Sequence, residues 1–162
     1  MQIYKKSQDS FLIKSKEGNI QLGNDGVEID GLLFSGPGEY ERKGIFVEGF
    51  APDGYGTVFI IHSEDINICY AAKVNTVLSG DAVKMLGDVD ILIISLGQET
   101  GMSTKDAEKN IAKIDPRIIV PAVVEESIDI ETTLGLSAEI VDSLKIKRAD
   151  LPEEDRKLFC IK

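Results

Sequence analysis

Histidine and cysteine, the residues that form most zinc sites, are scarce in this chain of 162 residues. His62 is the only histidine, and the two cysteines, Cys69 and Cys160, form no Cys-x-x-Cys pair. Zinc sites need several imidazole or thiolate ligands, and this supply is too small for one. His62 ends an apolar run, which favours a surface position at a strand end. Both cysteines lie in apolar, strand-like runs, which predicts buried free thiols without a disulfide.

The chain also has no apolar run that approaches the length of about 20 residues that a helix needs to span a bilayer. Its N-terminal segment carries lysines without a following apolar core, so it is not typical of a secretory signal and we expect a cytoplasmic protein. Acidic residues outnumber basic ones by 28 to 18, which disfavours nucleic-acid binding. The most basic segment contains Lys145, Lys147 and Arg148, and we interpret it as a charged edge strand.

The first half of the chain has the pattern of β-strands. Residues 10–17 alternate between apolar and polar side chains, which is typical of a half-buried strand. Residues 64–67 have the composition of a turn between two apolar runs and predict a hairpin. Short apolar runs punctuated by Asn/Asp-Gly turns fill most of the remainder.

The second half alternates between helix and strand patterns. Residues 79–89 and 102–116 begin with Ser or Thr caps and have apolar residues at helical spacing. Residues 90–97 form a continuous apolar run, typical of a strand buried on both faces, and residues 127–137 favour a short helix. We therefore predict one domain of the α/β class (α+β type), residues 1–162, with two packed sheets and helices outside.

Four segments in order along the chain carry a resemblance to a known family. They are SGPGEYERKGIFVEGF (35–50), INICYAAKVNTVLSGDAVKMLGDVDILIIS (66–95), MSTKDAEKNIAKIDPRIIVPAVV (102–124) and VDSLKIKRADLPEED (141–155). Together they resemble the metallo-β-lactamase superfamily, in its branch of small prokaryotic proteins similar to zinc-dependent hydrolases. The resemblance implies a metallo-β-lactamase-like αββα sandwich of two mixed sheets flanked by helices, in a truncated form.

The positions that bind metal in this family hold other residues here. The family's His-x-His-x-Asp-His loop would precede residue 35, but residues 19–40 contain no histidine and are too few to include the loop. The family's His-x-Gly-Asp motif aligns with Tyr70 to Lys73, and its last histidine ligand aligns with Val123. The resemblance therefore predicts that the metal site has been lost and that no metal or other cofactor is bound.

Lys73 places a positive charge where the family has an anion. We expect its ammonium to take part of the electrostatic role of the missing metal by pairing with Glu39 or Asp81. Ser79 is interpreted as a helix N-cap and Asp81 as an acidic residue of the first turn.

The function that follows is a non-catalytic protein that acts by binding or assembly, with no catalytic residue assigned. Its vestigial cleft would be formed by Glu39, Tyr40, Tyr70, Lys73 and Val123. The alternative is a metal-independent hydrolase that uses a remodelled cleft around Tyr70 and Lys73. We expect a homo-oligomer or a protein partner, and neither nucleic acid nor membrane as a partner.

Overall fold

The computed structural model describes residues 1–23, 25–52, 56–97 and 102–162. Strands dominate this part of the chain, and the helices are short. The strands are β1 (Gln2–Lys5), β2 (Phe11–Lys14), β3 (Asn19–Gly23), β4 (Gly26–Ile29), β5 (Leu32–Phe34), β6 (Gly38–Arg42), β7 (Ile45–Phe50), β8 (Val58–Ser63), β9 (Ile66–Ala71), β10 (Ile91–Leu96), β11 (Ile118–Val124), β12 (Ala138–Val141), β13 (Leu144–Lys145) and β14 (Lys157–Ile161). The α-helices are α1 (Gly80–Leu86), α2 (Thr104–Ile114) and α3 (Ile130–Leu134), and a single 3-10 turn spans Arg148–Asp150.

The smaller sheet has six strands in the order β13-β1-β2-β3-β4-β5, and every neighbouring pair is antiparallel. Its strands alternate as the sequence predicts: in β2, Phe11 and Ile13 are buried while Lys14 is exposed. Lys145 lies on the edge strand β13, as predicted from the sequence. The prediction was wrong for Lys147 and Arg148, which follow the strand and begin a 3-10 turn.

The larger sheet has eight strands in the order β12-β14-β11-β10-β9-β8-β7-β6. Strands β6 to β9 form an antiparallel meander, and strands β9, β10, β11, β14 and β12 run parallel. The predicted hairpin joins β8 to β9, and its turn residues Glu64 and Asp65 both have positive φ, at 53° and 60°. All six residues of β10 are buried because both faces of the sheet are covered there.

Two apolar layers hold the fold together. One lies between the sheets and joins residues such as Phe11 and Ile13 of the smaller sheet to Val47 and Ile61 of the larger one. The other lies on the outer face of the larger sheet, under the helices. Burial of apolar surface in these layers, at about 25 cal/mol per Å², is the main favourable term in folding.

All three helices pack on the outer face of the larger sheet. They contribute to the second layer through residues such as Leu86, Ile111 and Leu134, whereas the layer between the sheets contains no helical residue within the described ranges. The predicted α/β sandwich is thus confirmed, and two of its details change. Only the larger sheet is mixed, and helices cover only that sheet. None of the described helices is long and apolar enough to cross a membrane.

The predicted helix starts are also confirmed. Ser79 caps α1 by accepting a hydrogen bond from the Ala82 N–H at 3.1 Å. Asp81 lies in the first turn and pairs with Lys84 at 3.2 Å.

Cys69 is buried and Cys160 is half-buried, and both are free thiols. Full burial was therefore wrong for Cys160, which lies on β14, only one strand from the sheet edge.

Candidate functional site

Tyr70 lies near the carboxyl end of β9, where the resemblance places the vestigial cleft. Its side chain is directed between the sheets and the residue is 2% exposed. The hydroxyl donates a hydrogen bond to the Asp9 carbonyl oxygen at 2.6 Å. Burial, with a smaller contribution from the Asp9 carboxylate, raises the pKa of Tyr70 far above its usual range. Tyr70 is therefore a neutral phenol that ties the segment after β1 to the larger sheet.

Lys73 follows the end of β9 by two residues and is exposed. The predicted ion pair is wrong: within the described ranges, no carboxylate oxygen lies within 4.0 Å of its ammonium. Asp81 pairs with Lys84 instead. An ammonium in contact with water keeps its hydration and needs no compensating carboxylate, so the physical reason for the predicted pair does not apply.

Tyr70 and Lys73 do line one cavity, with a volume of about 170 Å³. The cavity lies between β8, β9 and the β3–β4 connection. Its walls also include Asp25, Thr57 and Phe59. Pockets that bury a small-molecule ligand usually have volumes of about 300 to 1,000 Å³. The Tyr70 cavity, as we call it, can therefore hold water or a very small solute.

Glu39 lies on the other face of the larger sheet from Tyr70. It pairs across the strands with Glu48, and Glu48 pairs with Ile60. Ile60 in turn pairs with Cys69, the residue before Tyr70. Cross-strand partners share a face, and consecutive residues alternate between faces. Glu39 is consequently separated from Tyr70 by the sheet itself and by two intervening strands.

Tyr40 has a structural position next to Glu39. Its hydroxyl donates to the Gly36 carbonyl oxygen at 2.9 Å, and its ring stacks on Phe34 with the centroids 4.6 Å apart. A Cβ at Gly49 would lie only 2.6 Å from the same Gly36 carbonyl oxygen. The bend at Gly36 and Pro37, which leads into β6, is therefore held by the Tyr40 side chain, and Gly49 leaves room for it.

Val123 lies near the carboxyl end of β11 and is half-buried. Val123 and Lys73 lie at the same end of the larger sheet, where the parallel strands β9, β10 and β11 have their carboxyl ends, and β10 separates the two residues. Val123 does not line the Tyr70 cavity. The five residues of the predicted cleft are thus dispersed, and only Tyr70 and Lys73 come together.

His62 is half-buried near the end of β8, as expected from its sequence position. Its Nδ1 lies 2.8 Å from the Asn67 Oδ1 atom, and its Nε2 lies 3.0 Å from the Glu48 Oε1 atom. The Asn67 amide nitrogen donates to the Asp88 carbonyl oxygen at 2.9 Å, which fixes the amide oxygen toward the imidazole. The partners of His62 are an amide and a carboxylate, and neither supplies the hydroxyl or thiol that an imidazole base activates.

The side chains at the expected ligand positions do not fit a metal ion. A neutral buried phenol, an exposed ammonium and an aliphatic group stand where imidazole and carboxylate ligands would be required. In the part of the chain that the structure describes, no three His, Cys, Asp or Glu side chains are placed to hold a metal. No reaction step through a metal can be built on these residues.

A feature that sequence reasoning missed lies at the opposite end of the sandwich. Lys14 and Lys16 come together there with the basic segment Lys145, Lys147 and Arg148 around one cavity. The chain separates the two groups by about 130 residues, and no local pattern links them. The register of β1 brings them together, because Gln2 pairs with Lys14 on one side and with Lys145 on the other.

Comparison with known proteins gives a family and a fold. The family described as "Beta-lactamase superfamily domain" matches residues 3–123. The structure is similar to that of a Thermotoga maritima protein assigned as a Zn-dependent hydrolase of the metallo-beta-lactamase superfamily. The similarity covers 100% of both chains, with 15% sequence identity and a TM-score of 0.81. No curated protein is significantly similar in sequence.

Two further solved structures match in part. Igni18, a metallo hydrolase from Ignicoccus hospitalis, has 12% identity and a TM-score of 0.48, over 62% of this chain and 51% of its own. CmlA, a diiron beta-hydroxylase from Streptomyces venezuelae, has 12% identity and a TM-score of 0.43, over 62% of this chain and 28% of its own. The full-length similarity shows the metallo-β-lactamase fold, and the family match over residues 3–123 shows that this chain belongs to the beta-lactamase superfamily.

Proposed function

We propose that this protein is a non-catalytic member of its superfamily that acts through binding or assembly. The observation that carries the proposal is the set of side chains at the old ligand positions. Tyr70 is committed to a structural hydrogen bond, Lys73 is solvated and Val123 has no donor atom. Hydrolysis depends on groups that meet at one reacting centre. Only Tyr70 and Lys73 share a cavity, which is small, and Val123 lies outside it. The fold is shared with a protein assigned as a hydrolase, but a fold does not transfer an activity.

Metal analysis tests this proposal. We expect protein expressed with zinc, manganese and iron available to contain far less than one metal per chain by elemental mass spectrometry. The physical reason is that a stable site needs about four converging N, O or S ligands for zinc. The His62→Ala variant is the control for adventitious binding at the single imidazole. Near-stoichiometric metal in both proteins, together with hydrolase activity that a chelator removes, would contradict the proposal.

Assembly with a second copy of the chain is the form of binding that the exposed sheet edge supports. Strand β12 ends the larger sheet, and no strand of the described chain pairs with its outer side. Ile140 on this strand is 64% exposed. An exposed edge strand with an apolar side chain offers both backbone hydrogen bonds and apolar surface to an identical strand. A two-fold contact between such strands buries the same patch on both copies.

Native mass spectrometry tests assembly. We expect a dimer for the natural protein and a monomer for Ile140→Lys, since an added charge at the contact opposes strand pairing. Met85→Lys is the matched control: Met85 is 65% exposed but lies on helix α1. A strict monomer without any copurifying protein would rule out this part of the proposal.

The alternative, a metal-independent hydrolase, has one observation in its favour. Tyr70 and Lys73 share the Tyr70 cavity. Against it, the raised pKa of Tyr70 keeps the side chain protonated near neutral pH, so no phenolate is present to act as a base, and the cavity is small.

Lys73→Met separates the two functions. Because Lys73 is exposed and unpaired among the described residues, we expect the free energy of unfolding to change by less than about 0.5 kcal/mol in urea denaturation. Under our proposal no hydrolytic activity is present to be lost. An ester or phosphoester hydrolysis that the natural protein catalyses and Lys73→Met abolishes would establish the alternative.

We also propose a cytoplasmic location, which rests on sequence alone.

A further inference from the structure

A second cavity, of about 630 Å³, lies at the end of the sandwich opposite to the Tyr70 cavity. It opens where the β2–β3 turn, the β8–β9 turn and the segment after β13 meet. The amino end of β9 follows the β8–β9 turn, whereas Lys73 follows the carboxyl end of that strand. The two cavities are therefore separated by the length of β9. We call this larger one the basic cavity.

The basic cavity has a positive lining in an acidic protein. Its cationic side chains are Lys14, Lys16, Lys145, Lys147 and Arg148, and its carboxylates belong to Glu17, Glu64 and Asp65. Five positive and three negative side chains give a net side-chain charge of +2 (5 − 3), to which the Met1 amino group adds a further positive charge, whereas the whole chain has a net charge of −10. The sign of the local charge is thus opposite to that of the molecule, and it favours an anion at this place.

Two of the three carboxylates of the cavity, Glu17 and Glu64, are engaged with protein groups. Glu64 accepts from the Lys16 backbone N–H at 2.9 Å and from the Met1 amino group at 3.1 Å. Burial opposes ionisation of Glu64, but these bonds and the charges of its neighbours lower its pKa overall. Glu17 accepts from the Ser63 hydroxyl. Two of the three carboxylates therefore have partners other than the cationic side chains.

The four lysines lack carboxylate partners. In the described ranges, none of their ammonium groups has a carboxylate oxygen within 4.0 Å. The Nζ atom of Lys14 lies 5.3 Å from the centroid of the Tyr4 ring. Arg148 differs, because Asp90 holds its guanidinium at 2.8 Å. The cavity thus combines an arginine held by Asp90, one lysine over the Tyr4 ring, and three further lysines without a carboxylate oxygen within 4.0 Å among the described residues.

We propose that the basic cavity binds a small phosphate-bearing anion. Its volume lies in the range of about 300 to 1,000 Å³ that is usual for small-molecule sites. Four of the five cations are lysines, which bind phosphate as compact point charges. A phosphate group carries up to about two negative charges and three strong acceptor oxygens, so several ammonium groups can share it. This site goes beyond the function proposed above, since it involves neither the old metal face nor the edge strand β12.

Isothermal titration with inorganic pyrophosphate tests the site. We expect saturable binding by the natural protein, weakened about tenfold or more in Lys145→Gln/Lys147→Gln, because two charge-assisted contacts are lost. The matched control is Lys84→Gln/Lys109→Gln, which removes the same charge from the surfaces of α1 and α2 and should bind within about twofold of the natural protein. Lys16→Gln, in an exposed turn, replaces the double variant should that variant fail to fold.

Three results would overturn the proposal. The first is the absence of saturable binding by the natural protein. The second is an equal loss in the cavity and control variants, which would indicate a general effect of surface charge. The third is binding of a single-stranded oligonucleotide much more tightly than pyrophosphate with a steep salt dependence, which would assign the surface to nucleic acid. Each is independent of metal content and of oligomeric state.

Discussion

Asp90→Ala is expected to lower the free energy of unfolding by about 3 kcal/mol, measured by urea denaturation. Asp90 is 3% exposed and immediately precedes β10. Its Oδ2 atom accepts from the Asn67 backbone N–H at 2.9 Å and from the Arg148 guanidinium at 2.8 Å. Its Oδ1 atom lies 3.5 Å from the Nε atom of Arg117. Alanine removes all these interactions at once.

The expected loss comes mainly from two terms. The bond with Arg148 is charge-assisted, and such bonds contribute about 1.5 to 3 kcal/mol. The Asn67 N–H loses its acceptor at the start of β9, which adds about 1 kcal/mol. The side chains of Arg117 and Arg148 are 42% and 52% exposed. Water can therefore solvate both guanidinium groups after the substitution, and this limits the loss of stability.

Two variants separate these contributions. Asp90→Asn keeps an oxygen for the Asn67 N–H but removes the charge, and we expect about half of the loss. Asp88→Ala removes an exposed carboxylate two residues away and should change stability by less than about 0.5 kcal/mol. Equal stability of Asp90→Ala and the natural protein would show that Asp90 does not link these segments.

Gly26→Ala is expected to destabilise the protein by about 4 kcal/mol, again by urea denaturation. Gly26 begins β4 with a φ of +133°, a conformation that alanine rarely adopts. An added Cβ would lie 2.1 Å from the Phe34 carbonyl oxygen and 2.9 Å from the Ser35 Cα atom. Backbone atoms cannot rotate away as a side chain can, so β5 must move from its pairing with β4.

Gly31→Ala provides the matched control for this prediction. Gly31 also has a positive φ, at +80°, but an added Cβ would meet no heavy atom within 4 Å. We expect it to cost only the backbone strain, about 1 kcal/mol. The difference between the two variants measures the contact with β5. Similar losses in both would mean that β5 accommodates the methyl group and that strain alone acts at Gly26.

Much of the fold could be predicted from local patterns. The Ser79 cap, the 64–67 hairpin and the buried strand β10 were all predicted correctly. These features depend on hydrogen bonds between near neighbours or on the period of one element, which the sequence displays directly. The family resemblance added the sandwich and the alignment of Tyr70 to Lys73 with metal ligands.

The candidate site was less predictable. Alignment placed Glu39, Tyr70 and Val123 in one cleft, but the sheet puts Glu39 on the opposite face and a strand between the other two. The predicted Lys73 ion pair failed because exposure, which decides whether an ammonium needs a partner, is a property of the packed structure. A one-residue change of register would have exchanged the two faces of any of these strands.

The strand-rich class and the helix starts follow from the sequence alone, and the family resemblance adds that Tyr70, Lys73 and Val123 align with positions that bind metal in relatives. The tertiary structure alone decided that helices cover one sheet only, that Asp90 joins Asn67 to Arg148, and that two distant basic segments meet at one cavity. The physical reason is the same in each case. Residues far apart in the chain interact only after strand order and register are fixed, and these are set by burial of the whole apolar pattern rather than by any short segment.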